Sequence, residues 1–229
     1  MTHPKIASRT QAHGVSSGLP RSNAVLPGWL CWERHEDPPA QGCEFSEVVT
    51  VQEGVATAVL CTVSHGGRRV AGLLDELRAC VHNECLLESS PARLVNTFVG
   101  ACRGLAASSD TQVSLVATTI DGRNRTLSFA NVSQPPPLLW DGARLLPSPL
   151  EGTQWQVPLG PGYRLFLYNQ GLVKASGPQN LLDTARAHMG APGAQFVATM
   201  RQKYLAYSKH TKPTYGLSLL WLGEGHSCT

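Results

Sequence analysis

Long apolar runs are absent from these 229 residues. None approaches the ~20 that a membrane helix requires, so no membrane span is expected. Met1 to Leu26 also lacks the apolar core, about 7–15 residues long, of a secretory signal. No CxxC pair occurs among Cys31, Cys43, Cys61, Cys80, Cys85, Cys102 and Cys228, and their number is odd. That excludes a zinc-ribbon pattern and disfavours a disulfide framework; free buried thiols in a reducing cytoplasm are expected. The sequons at Asn124 and Asn131 then carry no meaning. Acidic residues are missing from the first 27 positions, which hold Lys5, Arg9 and Arg21. Beyond them sixteen basic residues balance sixteen acidic ones, so no basic face for nucleic acid is expected. Acids are missing again where two strand-like runs end. Tyr163 to Tyr168 runs into Asn169-Gln170-Gly171-Leu172, and Ala56 to Cys61 runs into Thr62-Val63-Ser64-His65-Gly66-Gly67.

What is present suits one folded domain. The apolar fraction is 42% and the charged fraction 15%. Residues 1–27 read as a flexible lead-in, although their basic, Ser-containing composition also fits a transit peptide. The domain is expected over 28–224, with a short tail at 225–229. Gly28 to Arg34 reads as a first strand. Phe45 to Val51 and Val55 to Val63 read as a hairpin joined at Gln52-Glu53-Gly54. Val70, Leu73, Leu74, Leu77 and Val81 recur at helical spacing. Ser90 as N-cap and Pro91 at the first helical position open a second helix. Val113 to Ile120 and Thr126 to Val132 flank the turn signal Asp121-Gly122. Short strands at Leu138–Trp140, Ala143–Leu146 and Tyr163–Tyr168 follow. Two helices near Gln179–Met189 and Ala194–Tyr207 precede a last strand at Leu217–Leu222. Strands, helix pair, strands, helix pair and strand make an α+β layered sandwich with mostly antiparallel sheets.

Several residues carry candidate chemistry. Glu44 and Glu47 form either a remnant single-metal site or a solvated pair, and the pleat sends them to opposite faces. Cys43, Cys61 and His65 are soft zinc-ligand types without an evident fourth ligand. Ser64-His65-Gly66-Gly67-Arg68-Arg69 opens a helix, where free N–H groups attract anions. Arginines there oppose the helix dipole, which hints at phosphate holding; two solvated arginines are the plain alternative. Trp29, Trp32, Trp140, Trp155 and Trp221 read as core and rim residues.

Five segments in order resemble the PPM-type metal-dependent protein phosphatases, in the stage II sporulation E and RsbU branch. Gly42-Cys43-Glu44-Phe45-Ser46-Glu47 stands where that branch has Gly-Gly-Asp-Phe-Tyr-Asp. Cys61-Thr62-Val63-Ser64-His65-Gly66-Gly67 stands for Gly-Asp-Val-Ser-Gly-(Lys/His)-Gly. Phe129-Ala130-Asn131-Val132-Ser133-Gln134-Pro135-Pro136-Pro137-Leu138 resembles Tyr-Ala-Asn-Ala-Gly-His-Pro-Pro-Pro-Leu. Leu167 to Ala175 resembles Leu-Tyr-Thr-Asp-Gly-Leu-Thr-Glu-Ala, and Tyr215 to Leu220 resembles Asp-Asp-(Val/Ala)-Thr-Leu-Leu. The resemblance spans about Gly28 to Gly223. It implies an α-β-β-α sandwich: two stacked antiparallel sheets, each flanked by a helix pair.

The same resemblance implies two Mn²⁺ or Mg²⁺ ions ~3.5–4 Å apart activating a bridging water. The family's metal aspartates fall on Glu44, Thr62, Gln170 and Gly216, and only Glu44 is charged. Between Asp183 and Glu224 there is no acid with which to repair the set by realignment. Hard dications require several anionic oxygens, so no metal cofactor is expected. The resulting expectation is a phosphatase-fold regulatory protein, catalytically inactive and cytoplasmic. Its partner would be an anti-sigma-factor antagonist, a kinase or another signalling domain of a bacterial phospho-switch. The alternative is an active serine/threonine phosphatase with a degenerate Mn²⁺ or Mg²⁺ site. A structural subunit forming a homodimer is a third reading.

Overall fold

A computed structural model describes residues 21–26, 29–36, 42–64, 70–87, 90–105, 112–146, 155–209 and 216–224. Residues 1–20 of the lead-in expected over 1–27, and the tail expected at 225–229, lie outside them. Eleven strands are described: β1 Arg21–Leu26, β2 Trp29–Glu36, β3 Gly42–Gln52, β4 Val55–Ser64, β5 Gln112–Asp121, β6 Thr126–Val132, β7 Leu138–Trp140, β8 Leu145–Leu146, β9 Trp155–Pro158, β10 Arg164–Tyr168 and β11 Leu217–Glu224. The described helices are α1 Val70–Leu87, α2 Pro91–Leu105, α3 Gln170–Ser176, α4 Pro178–His188 and α5 Gly193–Ser208. One sheet runs β1-β2-β11-β10-β7-β8 and the other β3-β4-β5-β6-β9. All described pairings are antiparallel.

Period-two alternation explains the layers. In β4, Ala56, Ala58 and Leu60 face the other sheet, while Val59, Cys61 and Val63 pack beneath α1 and α2. In β10, Leu165 and Leu167 point between the sheets; Phe166 and Tyr168 point to the α3–α5 side. In β11, Leu220 and Leu222 point inward, and Leu219 and Trp221 outward. Strands that alternate between two apolar environments read as continuous apolar runs, because each face has its own cover.

Three features differ from the sequence expectations. Arg21–Leu26, read as part of a lead-in, is a strand paired with β2, so the folded unit begins earlier than residue 28. Asp121 ends β5 and closes a longer turn: its Oδ1 accepts from the Arg123 and Asn124 backbone N–H groups at 2.9 and 3.0 Å. The turn is thus an Asx-type closure rather than a two-residue Asp-Gly link. The helical layer over the six-stranded sheet also contains α3, a helix not among those expected.

That layer is pinned at the α4–α5 junction. Arg164 Nη1 donates to the Met189 carbonyl at 2.5 Å and the Ala191 carbonyl at 2.7 Å, satisfying groups that the end of α4 leaves free. At the start of α5, a Cβ on Gly193 would lie 2.4 Å from Trp32 Cδ1 and 2.6 Å from Trp221 Cε3. Only glycine lets the helix seat this closely. Gly193→Ala is expected to cost ~1–3 kcal/mol through overpacking, read as a lower midpoint in urea denaturation.

Cys31, Cys61, Cys80, Cys85 and Cys102 are free thiols. Burial, aided by the nearby carboxylates of Glu47 and Glu84, pushes the Cys85 thiol up to about 12. Burial pushes Cys102 up to about 11. Unfolded thiols ionise near the ordinary value of 9.0. Above that pH the unfolded chain holds fewer protons than the folded one, so stability falls as pH rises. In a melting series the thiols should therefore leave stability unchanged below about pH 8 and lower it between about pH 9 and 11. Cys85→Ala should flatten the drop.

Candidate functional site

Four strand ends meet at one end of the inter-sheet layer: the start of β3, the end of β4, the end of β10 and the approach to β11. Glu44 of β3 and Thr62 of β4 are directly opposed and turned towards the other sheet. From that sheet, Asn169 continues the inward phase of Leu165 and Leu167, and Ser218 that of Leu220 and Leu222. A polar residue in phase with inward leucines must find partners inside.

The partners are each other. Glu44 is 8% exposed, although it is a carboxylate. Its Oε1 accepts from Asn169 Nδ2 at 2.5 Å, and its Oε2 accepts from the Ser218 hydroxyl. Asn169 is the hub. Its Nδ2 also donates to the Gly216 carbonyl at 2.8 Å. Its backbone N–H donates to the Ser218 carbonyl at 3.1 Å, and its Oδ1 accepts from the Leu172 N–H at 3.3 Å as the N-cap of α3. One side chain thus joins both sheets and starts a helix. Beside this clasp, Gln134 Nε2 donates to Thr62 Oγ1 at 2.8 Å and to the Ser114 carbonyl at 3.4 Å.

The residues expected at the site are placed as follows. Glu44 and Thr62 lie side by side in the layer. Gly216 contributes its carbonyl. Gln170 is exposed at the first position of α3 and takes no part in the clasp. Its neighbour Asn169 points inward instead, because β10 keeps its alternation for one residue beyond Tyr168. Glu47 lies on the opposite face, where its Oε1 meets His82 Nδ1 of α1 at 2.5 Å. Cys61 also faces the α1–α2 side, so it does not converge on Glu44. Ser64 ends β4, opposite Gly42 and Gln112. His65, Gly66, Gly67, Arg68, Arg69 and Tyr215 lie outside the described residues. Asn169, Ser218, Ser114 and Gln134 were not singled out from the sequence. The phase of Asn169 and Ser218 with inward leucines was the available signal.

This donor set does not fit a pair of dications. Each would bring two positive charges, and the clasp offers one carboxylate among neutral oxygens. Both carboxylate oxygens face hydrogen-bond donors, whose positive ends would repel a cation. Among the described residues, no three His, Cys, Asp or Glu side chains are grouped to hold a metal ion.

No family model matches the chain, and no curated protein matches it in sequence. Solved structures do match its fold. The RsbU and RsbW domains of Rv1364c from Mycobacterium tuberculosis superpose with TM-score 0.69 at 17% identity, covering 87% of this chain and 62% of that one. The chain therefore spans less than two thirds of that structure. The SiaA-PP2C domain of Pseudomonas aeruginosa gives 0.68 at 18% identity, covering 83% of each chain. The PP2C phosphatase domain of SpoIIE from Bacillus subtilis, with a fragment of its regulatory domain, gives 0.69 at 10% identity, covering 84% of this chain and 62% of that one. The chain has the fold of PP2C phosphatase domains.

Removing the hub exposes its worth. Asn169→Ala deletes a charge-assisted hydrogen bond to a buried carboxylate and a helix cap, and should cost about 3 kcal/mol. The melting temperature should fall by roughly 6–12 °C, with the smaller loss in Ser218→Ala.

Proposed function

We propose that this PP2C-fold chain is a regulatory protein that binds a signalling partner or phosphoprotein and does not hydrolyse it. One observation supports the reading: Glu44, on which the sequence resemblance puts a metal aspartate, is buried and accepts from Asn169 and Ser218 through both carboxylate oxygens. Hydrolysis in this fold family relies on a cation pair to activate water and to neutralise the phosphoryl oxygens. Among the described residues no set supplies the negative charge for that pair, so the proposed protein works without Mn²⁺ or Mg²⁺.

The partner class follows from the company the fold keeps. One superposing structure joins an RsbU to an RsbW domain, and another carries part of a regulatory domain. An anti-sigma-factor antagonist, its kinase or a related signalling domain is the partner class proposed, in a cytoplasmic setting. Ser64 to Arg69 is the proposed phosphate-holding corner, since Gly66-Gly67-Arg68-Arg69 immediately precede α1 in the sequence. From Asp183 to Glu224 the chain carries no further acid, which suits an anionic partner on this half.

Calorimetry with millimolar Mn²⁺ or Mg²⁺ should show no saturable binding, and p-nitrophenyl phosphate should not turn over above the blank. A phosphoserine peptide should bind, and Arg68→Ala with Arg69→Ala should weaken it. Stoichiometric binding of two ions, or metal-dependent turnover lost in Glu44→Ala, would replace this reading with that of an active phosphatase.

A further inference from the structure

Beside the clasp, the amide of Asn131 is buried with neither Nδ2 nor Oδ1 in a hydrogen bond, and Oε1 of Gln134 is in the same state. Asn131 is 3% exposed and Gln134 5%. They stand three residues apart, where the chain leaves β6. Asn131 of β6 sits opposite Val116 in register, one step along the inward face of β5 from Ser114. Gln134 reaches back to the Ser114 carbonyl and the Thr62 hydroxyl through its Nε2. Its Oε1 is therefore held within the same polar corner.

Buried amide groups are almost always satisfied, and leaving several dry in one corner is strongly unfavourable. Two N–H donors stand beside two carbonyl oxygens, and no formal charge is among them. A cation would meet the Nδ2 protons, and an anion would meet the carbonyl oxygens. A small neutral molecule that both donates and accepts fits all of them. We propose that this corner is a hydration site. One or more resident waters accept from Asn131 Nδ2 and donate to the carbonyl oxygens of Asn131 and Gln134. The inference goes beyond the functional reading and holds whether or not a partner binds.

Two measurements test it on the full chain. In wild-type protein labelled with ¹⁵N-asparagine, the Asn131 side-chain protons should show cross-peaks to water with the sign of a slowly exchanging, protein-bound molecule. Asn131→Leu, close in size but apolar, should melt lower than wild type, by roughly 4 °C, because it removes one side of a satisfied network. A dry corner gives the reverse: no such cross-peak, and a variant that melts as high or higher because a stranded amide has been deleted. Either of those results overturns the proposal. If Asn131→Leu does not fold, the wild-type cross-peak decides alone.

Discussion

A carboxylate between two sheets must be met by hydrogen-bond donors, and the arrangement around Glu44 follows from that constraint. Stranding a charge among leucines would cost more than most single contacts contribute. Donors from the opposite sheet meet it here, so the same bonds that satisfy Glu44 also hold the two sheets at a fixed separation. Asn169 is well suited to the task because an amide donates and accepts at once. Its nitrogen serves Glu44 and the Gly216 carbonyl while its oxygen serves the first turn of α3. An aspartate in its place would offer acceptors only and would set a second negative charge against the first.

The sandwich does not depend on this clasp alone. Three apolar layers carry the architecture: one between the sheets and one under each group of helices. They reach the strand ends through Phe45, Val63, Tyr168 and Leu217, whose side chains face the helices and not Glu44. Such layers require apolar alternation rather than particular residues, which fits superposition at 10–18% identity with no match to a family model.

Much of this was legible in the chain itself. Alternation in β4, β10 and β11 and helical spacing in α1 and α2 marked the layers, and the ordered motif remnants pointed to the sandwich. The thinning of acids at strand ends was visible as well. The hub was not. Asn169-Gln170-Gly171 carries turn chemistry, so the residue that caps α3 reads locally as part of a loop. Its role depends on Glu44, 125 residues away, and on Ser218 in a third segment. Trp155–Pro158 escaped for another reason: a four-residue edge strand ending in proline has too little pattern to stand out, and only its register with β6 defines it.

The Asp121 turn has a practical bearing. It lies at the end of the five-stranded sheet remote from Glu44, since β5 runs from Gln112, opposite Ser64, to Asp121, opposite Val55. Its tip residues are exposed; Asp121 closes the turn internally, Gly122 bonds to Gly54, and Arg125 ties its far side to Leu159. A dye or an affinity handle grafted there would report on the protein without disturbing the buried polar network. The Arg164-pinned junction of α4 and α5 would be a poor choice for such an insertion, because lengthening it would pull two carbonyls off their guanidinium.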